Sequence, residues 1–293
     1  MSDFGEKLRS DRFLITTELD PPKGVDVKQV LESVEQIRGV IDACNVSDSH
    51  NSIMTTGAIS LAHLLLDRGI EPIVHVTGRD RNRIALQADL LSAYVLGIKN
   101  ILCMTGDPPG AGDHPEAKAV FDLDGIDMVK AASSLMGGQD LAGNRLSGVP
   151  QFCIGATVNP CTPDLAKEIH RMEQKVEAGA VFFQSQAIFD AETIHKFAAR
   201  TQHIKTPVLA GIILLKSARM ARTLNENLPG VHIPEELISE MEKAEDRPKQ
   251  GVEIAARIIR KVKGAVRGVH IMAIGWERYI PQVVEEAGLL GNR

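Results

Sequence analysis

The chain has 293 residues, 44% hydrophobic and 24% charged, with a formal net charge of −5 at pH 7. That is enough apolar material for a large core, and the negative balance gives no basic field for nucleic acid or anionic lipid. The polar opening MSDFGEKLRSDRF is no signal peptide, and no apolar run approaches the roughly 20 residues of a membrane helix, so a cytoplasmic location is expected.

Strand-like and helix-like segments alternate from the start. Residues 13–20 (FLITTELD) are apolar and β-branched and run into Pro21 and Pro22. Val27, Val30, Leu31, Val34 and Ile37 then recur at helical spacing. Residues 40–48 (VIDACNVSD) read as a second strand, and 58–69 (AISLAHLLLDRG) as a helix stopped by glycine. The third strand is EPIVHVTG, followed by a helix through RIALQADLLSAYVLG. The fourth strand, ILCM, stops abruptly in TGDPPGAG. A helix over 124–136 leads to a polar, glycine-rich connection at 137–150. Strands at 151–160, 180–190 and 205–215 alternate with further helices. Extra helices are expected over 226–263, before a last strand at 268–275.

Eight strands in strict alternation with helices predict a parallel sheet covered by helices. In this length they fit one (β/α)8 TIM barrel spanning 1–293 as a single domain. A doubly wound open sheet is the alternative, but its early GxGxxG turn is absent. In a barrel, functional groups gather where strands end. Those ends are polar here: Glu18; Ser47 and Asp48; His75 and Thr77; Asp107; Thr157 and Asn159; Gln184 and Gln186. Period two places Gln184 and Gln186 on one face. Glu18, His75, Asp107 and Gln186 are expected to converge at one end. The prolines after Asp107 stiffen its loop, and the glycines allow close backbone approach. Cys44, Cys103, Cys153 and Cys161 are scattered, with no CxxC pair, and predict reduced thiols and no metal. Arg79, Arg81, Arg83 and, further on, Lys99 are candidates for phosphate binding or for a solvated helix start. Trp276 is a candidate for ring stacking or core packing.

Three blocks in order resemble the methylenetetrahydrofolate reductase family, which are flavoproteins on a TIM barrel. They are TELDPP, HVTGRDRN with LQADLLSAYVLGIKNILCMTGDPP, and KVEAGAVFFQSQAIFD. The resemblance implies hydride transfer from a reduced flavin to 5,10-methylenetetrahydrofolate, giving 5-methyltetrahydrofolate. The flavin would be FAD, with FMN as the alternative, and the donor NADH or NADPH. By resemblance Glu18 is the general acid, and Asp107 and Gln186 bind folate. Ser47, His75, Thr105, Gly106, Asp107, Glu168 and Lys175 fall on cofactor positions. The family pattern has arginines where Thr105 and, roughly, Trp276 stand. A homo-oligomer is expected, with an electron-transferring partner subunit as another donor. Opening the substrate ring needs a proton at neutral pH, so burial is expected to raise the pKa of Glu18. Two other readings are a related barrel that binds folate or a partner subunit without reductase activity, and a folate methyl-transfer barrel with no redox step.

Overall fold

The computed structural model describes residues 2–228 and 230–290; the rest of the 1–293 span, Met1, Pro229 and 291–293, lies outside the described residues. Its centre is a closed barrel of parallel strands in sequence order. These are β1 (Leu14–Leu19), β2 (Ala43–Val46), β3 (Pro72–Thr77), β4 (Asn100–Met104), β5 (Cys153–Val158), β6 (Phe182–Ala187), β7 (Val208–Ile213) and β8 (Gly268–Met272). β8 pairs back onto β1 with Thr16 opposite His270, which closes the ring. Both faces of each strand are covered, which is why the strands read as continuous apolar runs.

The helices are α1 (Asp3–Arg9), α2 (Lys28–Glu35), α3 (Ala58–Leu66), α4 (Arg83–Val95), α5 (Gly125–Met136), α6 (Leu165–Ala178), α7 (Ala191–Arg200), α8 (Ala218–Asn227), α9 (Glu235–Lys243), α10 (Arg247–Val262) and α11 (Ile280–Glu286). Several start where an acidic or amide side chain caps free backbone N–H groups. Asn82 accepts from Ile84 and Ala85, Asp124 from Ile126 and Asp127, and Asp190 from Glu192 and Thr193. Between β7 and β8, α10 packs on β7, α7, α9 and α11, while α8 and α9 pack on each other. α10 is thus the barrel's own helix, and the additional pair begins at Ala218. The 137–150 connection joins the end of α5 to the start of β5, on the side away from the strand ends. It turns back through a Gln139–Arg145 bridge, with Asp140 accepting from the N–H groups of Ala142 and Asn144.

The barrel interior is layered. One layer holds Leu14, Ala43, Ile73, Leu102, Cys153, Phe182 and Leu209, packed together and sealed by Phe4 and Leu8 of α1. Phe4 meets Phe182 edge to face at 5.3 Å. Gly268 fills the eighth place, where a Cβ would lie 2.3 Å from the Leu14 carbonyl oxygen. Two residues further along, seven of the strands turn polar or small, with Thr16, Asn45, His75, Gly155, Gln184, Gly211 and His270, while β4 places half-buried Met104 against the apolar layer. The closed end is therefore dry and apolar, and the chemistry lies toward the mouth.

Candidate active site

Glu18 ends β1 at that mouth. Its Oε2 lies 3.6 Å from His75 Nε2 and 3.8 Å from His270 Nε2. Its side chain is 16% exposed, while those of His75 and His270 are buried. His50, in the loop after β2, adds a third imidazole: ligand atoms of Glu18, Asp20 and His50 all lie within 4.8 Å of one another. Burial pushes the Glu18 carboxyl upward, but His270, His75 and His50 outweigh it and hold it down to about 2. This corrects the expectation from sequence: burial alone raises a carboxyl, but here nearby imidazoles favour the ionised form. Burial pushes His75 down to about 4, so it is neutral. His50 lies 3.6 Å from Asp20 and is raised to about 9, chiefly by that carboxylate.

Below Glu18 the polar layer is fully bonded. Asn45 and Gln184 form a two-way amide pair, with Nδ2 to Oε1 at 2.6 Å and Nε2 to Oδ1 at 3.0 Å. Asn45 Nδ2 is also 2.8 Å from His75 Nε2, and Gln184 Nε2 donates to Thr16 Oγ1 at 3.2 Å. Thr16 Oγ1 lies 3.0 Å from His270 Nδ1.

Three loops make one rim. Ser52 Oγ donates to the carbonyls of Asp107 and Pro108 at 2.9 and 3.0 Å. Lys23 pairs with Asp113, whose other oxygen accepts from Met54 N–H. At Gly112 any Cβ would lie 1.9 Å from the Ser52 carbonyl oxygen, so only glycine fits against that loop. Ser49, Asn51 and Ser52 hold positive φ of 51°, 52° and 58°. Buried Arg79 holds this conformation, reaching Ser49 O and Ser52 Oγ at 3.2 and 3.0 Å.

The methylenetetrahydrofolate reductase family model matches residues 3–288. The chain belongs to that family. Methylenetetrahydrofolate reductase 2 of Schizosaccharomyces pombe is 26% identical over 238 residues, covering 76% of this chain and 37% of that protein. A probable methylenetetrahydrofolate reductase (NADPH) of Caenorhabditis elegans is 26% identical over 254 residues, covering 83% of this chain and 36% of that protein. The chain thus spans little more than a third of the length of these relatives. A solved Clostridium thermocellum protein, described as uncharacterised and as binding two copies of 5-methyl-5,6,7,8-tetrahydrofolic acid, superposes with a TM-score of 0.70. It covers 99% of this chain and 100% of its own at 15% identity, and so shares the fold.

Of the residues that the methylenetetrahydrofolate reductase resemblance singles out, Glu18 and His75 meet directly. Ser47 is buried just past the end of β2 and donates to Asp20 at 2.5 Å. Thr105 and Asp107 are exposed on the rim, and the Asp107 charge is felt at His50 and Arg79. Gly106 takes φ +89°, where a Cβ would crowd Thr77 and Arg79 at 3.1 and 3.2 Å. Gln186 departs from the expected alternation. The β6–β7 register slips between Gln184 and Ala187, so the two glutamines are separated by an irregularity and do not form one stripe. Gln186 Oε1 accepts from Ala187 N–H at 3.1 Å. Glu168 and Lys175 do not reach the Glu18 cluster. Glu168 accepts from Asn159 N–H at 2.9 Å, and buried Lys175 donates to the Thr157 carbonyl at 2.6 Å, so both grip the end of β5.

The arginines proposed for phosphate are all engaged. Arg79 pairs with Asp80, Arg81 with Asp48 and Asp89, and Arg83 with Asp122. Trp276 packs edge to face on Tyr279 at 5.3 Å, with Lys216 Nζ 5.7 Å from its ring centroid. Burial pushes the thiols of Cys103 and Cys153 up to about 12, so they are inert core residues. Thr16, Asn45, His50 and His270 were missing from the candidates, and Gln184 had no assigned role. For Thr16, Asn45, Gln184 and His270 the available signal was position, two residues beyond Leu14, Ala43, Phe182 and Gly268 of the level below; His50, in the loop after β2, carried no such signal.

Proposed function

We propose that this chain is the catalytic barrel that reduces 5,10-methylenetetrahydrofolate to 5-methyltetrahydrofolate. It would hold FAD, or FMN in its place, reduced by NADH or NADPH. The observation that carries the reading is Glu18 ringed by His75, His270 and His50 at the mouth of a family barrel. When bound, the flavin accepts a hydride from the nucleotide and passes it to the folate. The mouth suits the ring end of such a group. It offers neutral His75, the exposed Thr105 hydroxyl and the side-chain-free backbone of Gly106. Ser47 would lie toward the nicotinamide, and Glu168 and Lys175 of α6, which hold the end of β5, would complete the flavin side.

The chain's own task is the proton. Breaking the bond between the methylene carbon and N10 needs one proton on that nitrogen and leaves an electrophilic iminium at N5. Hydride addition to the methylene carbon then gives the methyl group. Glu18 is ionised in the open mouth, so it takes up a proton before giving one. His50 is the proton-rich neighbour near neutral pH, and Asp20 holds it there. Asp107 accepts two hydrogen bonds from the amino and amide edge of the pterin, and Gln186 contacts folate and nicotinamide in turn.

The test begins with the small molecule released on denaturing the purified protein, then follows flavin oxidation by the folate in stopped flow. A flavin that the folate oxidises supports the reading. A colourless protein that binds 5-methyltetrahydrofolate overturns it in favour of a folate-binding barrel.

A further inference from the structure

The amide pair beneath Glu18 constrains where protons sit. Asn45 and Gln184 are 0% and 3% exposed, so neither amide can turn to water for a partner. Two of their hydrogens serve the bonds between them. Each amide has one N–H left. That of Asn45 meets His75 Nε2 at 2.8 Å, and that of Gln184 meets Thr16 Oγ1 at 3.2 Å. A ring nitrogen that accepts carries no proton, so neutral His75 has its hydrogen on Nδ1. The Thr16 hydroxyl has one hydrogen to give, and its nearest acceptor is His270 Nδ1 at 3.0 Å, ahead of the Val269 carbonyl at 3.5 Å. His270 then carries its hydrogen on Nε2, the atom 3.8 Å from Glu18 Oε2.

We propose that Asn45 and Gln184 are positioning residues that lock His75 and His270 into opposite tautomers and leave His270 Nε2–H as the donor facing Glu18. Turning both amides over would reverse every bond in the chain. His75 Nε2–H would donate to Asn45, and the Thr16 hydroxyl to Gln184. His270 would then present a bare Nε2 to Glu18. In both arrangements His75 Nε2 is engaged with Asn45 at 2.8 Å, so His270 Nε2 is the ring nitrogen that addresses Glu18. The first arrangement suits an ionised Glu18 and the second a protonated one. The groups facing Glu18 are His75 from β3, His270 from β8 and His50 from the loop after β2, with Asp20 behind His50 and Asp48 acting on His75. His50, held protonated by Asp20 within 4.8 Å of Glu18, favours the ionised carboxylate and hence the first arrangement. A polar layer in a barrel interior is costly unless every member is bonded, and here the amide pair supplies the bonds that decide the order.

The role given to Glu18's proton rests on the proposed reaction; the tautomers do not. The experiment is two-bond proton–nitrogen correlation on 15N-histidine-labelled protein at pH 7, with rings assigned through His75→Asn and His270→Asn. The wild-type spectrum should show His270 as Nε2–H and His75 as Nδ1–H. His270 as Nδ1–H, or both rings in the same tautomer, overturns the proposal without any variant needing to fold. Gln184→Met removes the pair while keeping bulk, and should bring both rings to tautomer mixtures. It should also slow flavin oxidation by folate about tenfold while flavin reduction by the nucleotide keeps its rate. Scrambled tautomers with both half-reactions unchanged would overturn the positioning role. Correct tautomers in a wild type that does not reduce folate would sink the proposed reaction and leave the tautomer lock standing.

Discussion

Two levels of the same barrel, two residues apart along the same strands, follow opposite rules. At the closed end, Leu14, Ala43, Ile73, Leu102, Cys153, Phe182 and Leu209 pack on Phe4 and need no hydrogen bond. At the next level Thr16, Asn45, Gln184 and the two histidines are bonded to one another, with Glu18 above the histidines. The first level holds the barrel shut and tolerates exchange among side chains of similar volume. The second has little freedom of type, because each donor needs its particular acceptor. Stability and reactivity are thus assigned to different levels of one set of strands, and substitutions should separate them.

The largest separation is expected at Glu18. Glu18→Gln keeps shape but cannot pass a proton, so folate reduction should fall about 10³-fold. Flavin reduction by the nucleotide and the melting temperature should stay near wild type. Stopped-flow traces of the two half-reactions decide it; equal slowing of both would make Glu18 a binding or structural group.

The mirror experiment is Phe182→Ala in the apolar level. Phe182 is fully buried against Phe4, and its loss should cost about 3–5 kcal/mol of stability. Turnover per folded molecule should hold. Denaturant unfolding alongside activity corrected for folded fraction checks both. A large loss of turnover in the folded protein would show that the two levels are not independent.

A third test titrates the polar level as a whole. Burial depresses His75 from 6.5 to about 4. Below pH 6.5 the unfolded chain therefore takes up a proton that the folded chain refuses. This stability is present above pH 6.5 and is lost as pH falls toward 4, to the extent of about 2–3 kcal/mol. Urea midpoints measured from pH 7 to 4.5 should fall, and fall less in His75→Gln. Equal slopes would place His75 outside the dry interior.

The same contrast explains what could be read from the sequence. Strands were legible as short continuous apolar runs and helices as apolar residues recurring at a period of 3.6, alternating eight times, with Gly and Pro marking ends. Glu18 and His75 were legible as polar residues closing apolar runs. Asn45 and His270 were not: a lone amide or imidazole inside a buried strand looks the same whether it is isolated or bonded, and the partners lie on strands far apart in the chain. The slip in β6 is equally silent, since FFQSQAIFD has no glycine or proline at the irregularity. The direction of the Glu18 shift failed for a related reason. Burial could be inferred from one segment, but the three imidazoles that oppose it come from three others. Lys175 and Glu168 show the reverse case, where family position is clear but the contacts made are with the protein's own backbone.

The smallest expected effect belongs to neither level, and tests the rim above them. Asp107 is exposed, and its carbonyl, with that of Pro108, is held by Ser52 Oγ, so its side chain is free to meet a ligand. Asp107→Asn leaves the backbone clamp intact, and melting should not change. If its carboxylate receives the pterin edge, folate affinity should fall about tenfold, a loss of about 1.4 kcal/mol for a charge-assisted pair made weaker. A negative charge near a reduced flavin opposes reduction, so its removal should raise the two-electron potential. Because the site is open to water the shift should be only about 10–20 mV, and should shrink with added salt. Redox titration at low and high ionic strength, with folate binding measured on the same samples, reads all of this. A variant that melts well below wild type with potential and affinity unchanged would make Asp107 a loop cap, and the rim would then belong with the closed end as scaffold.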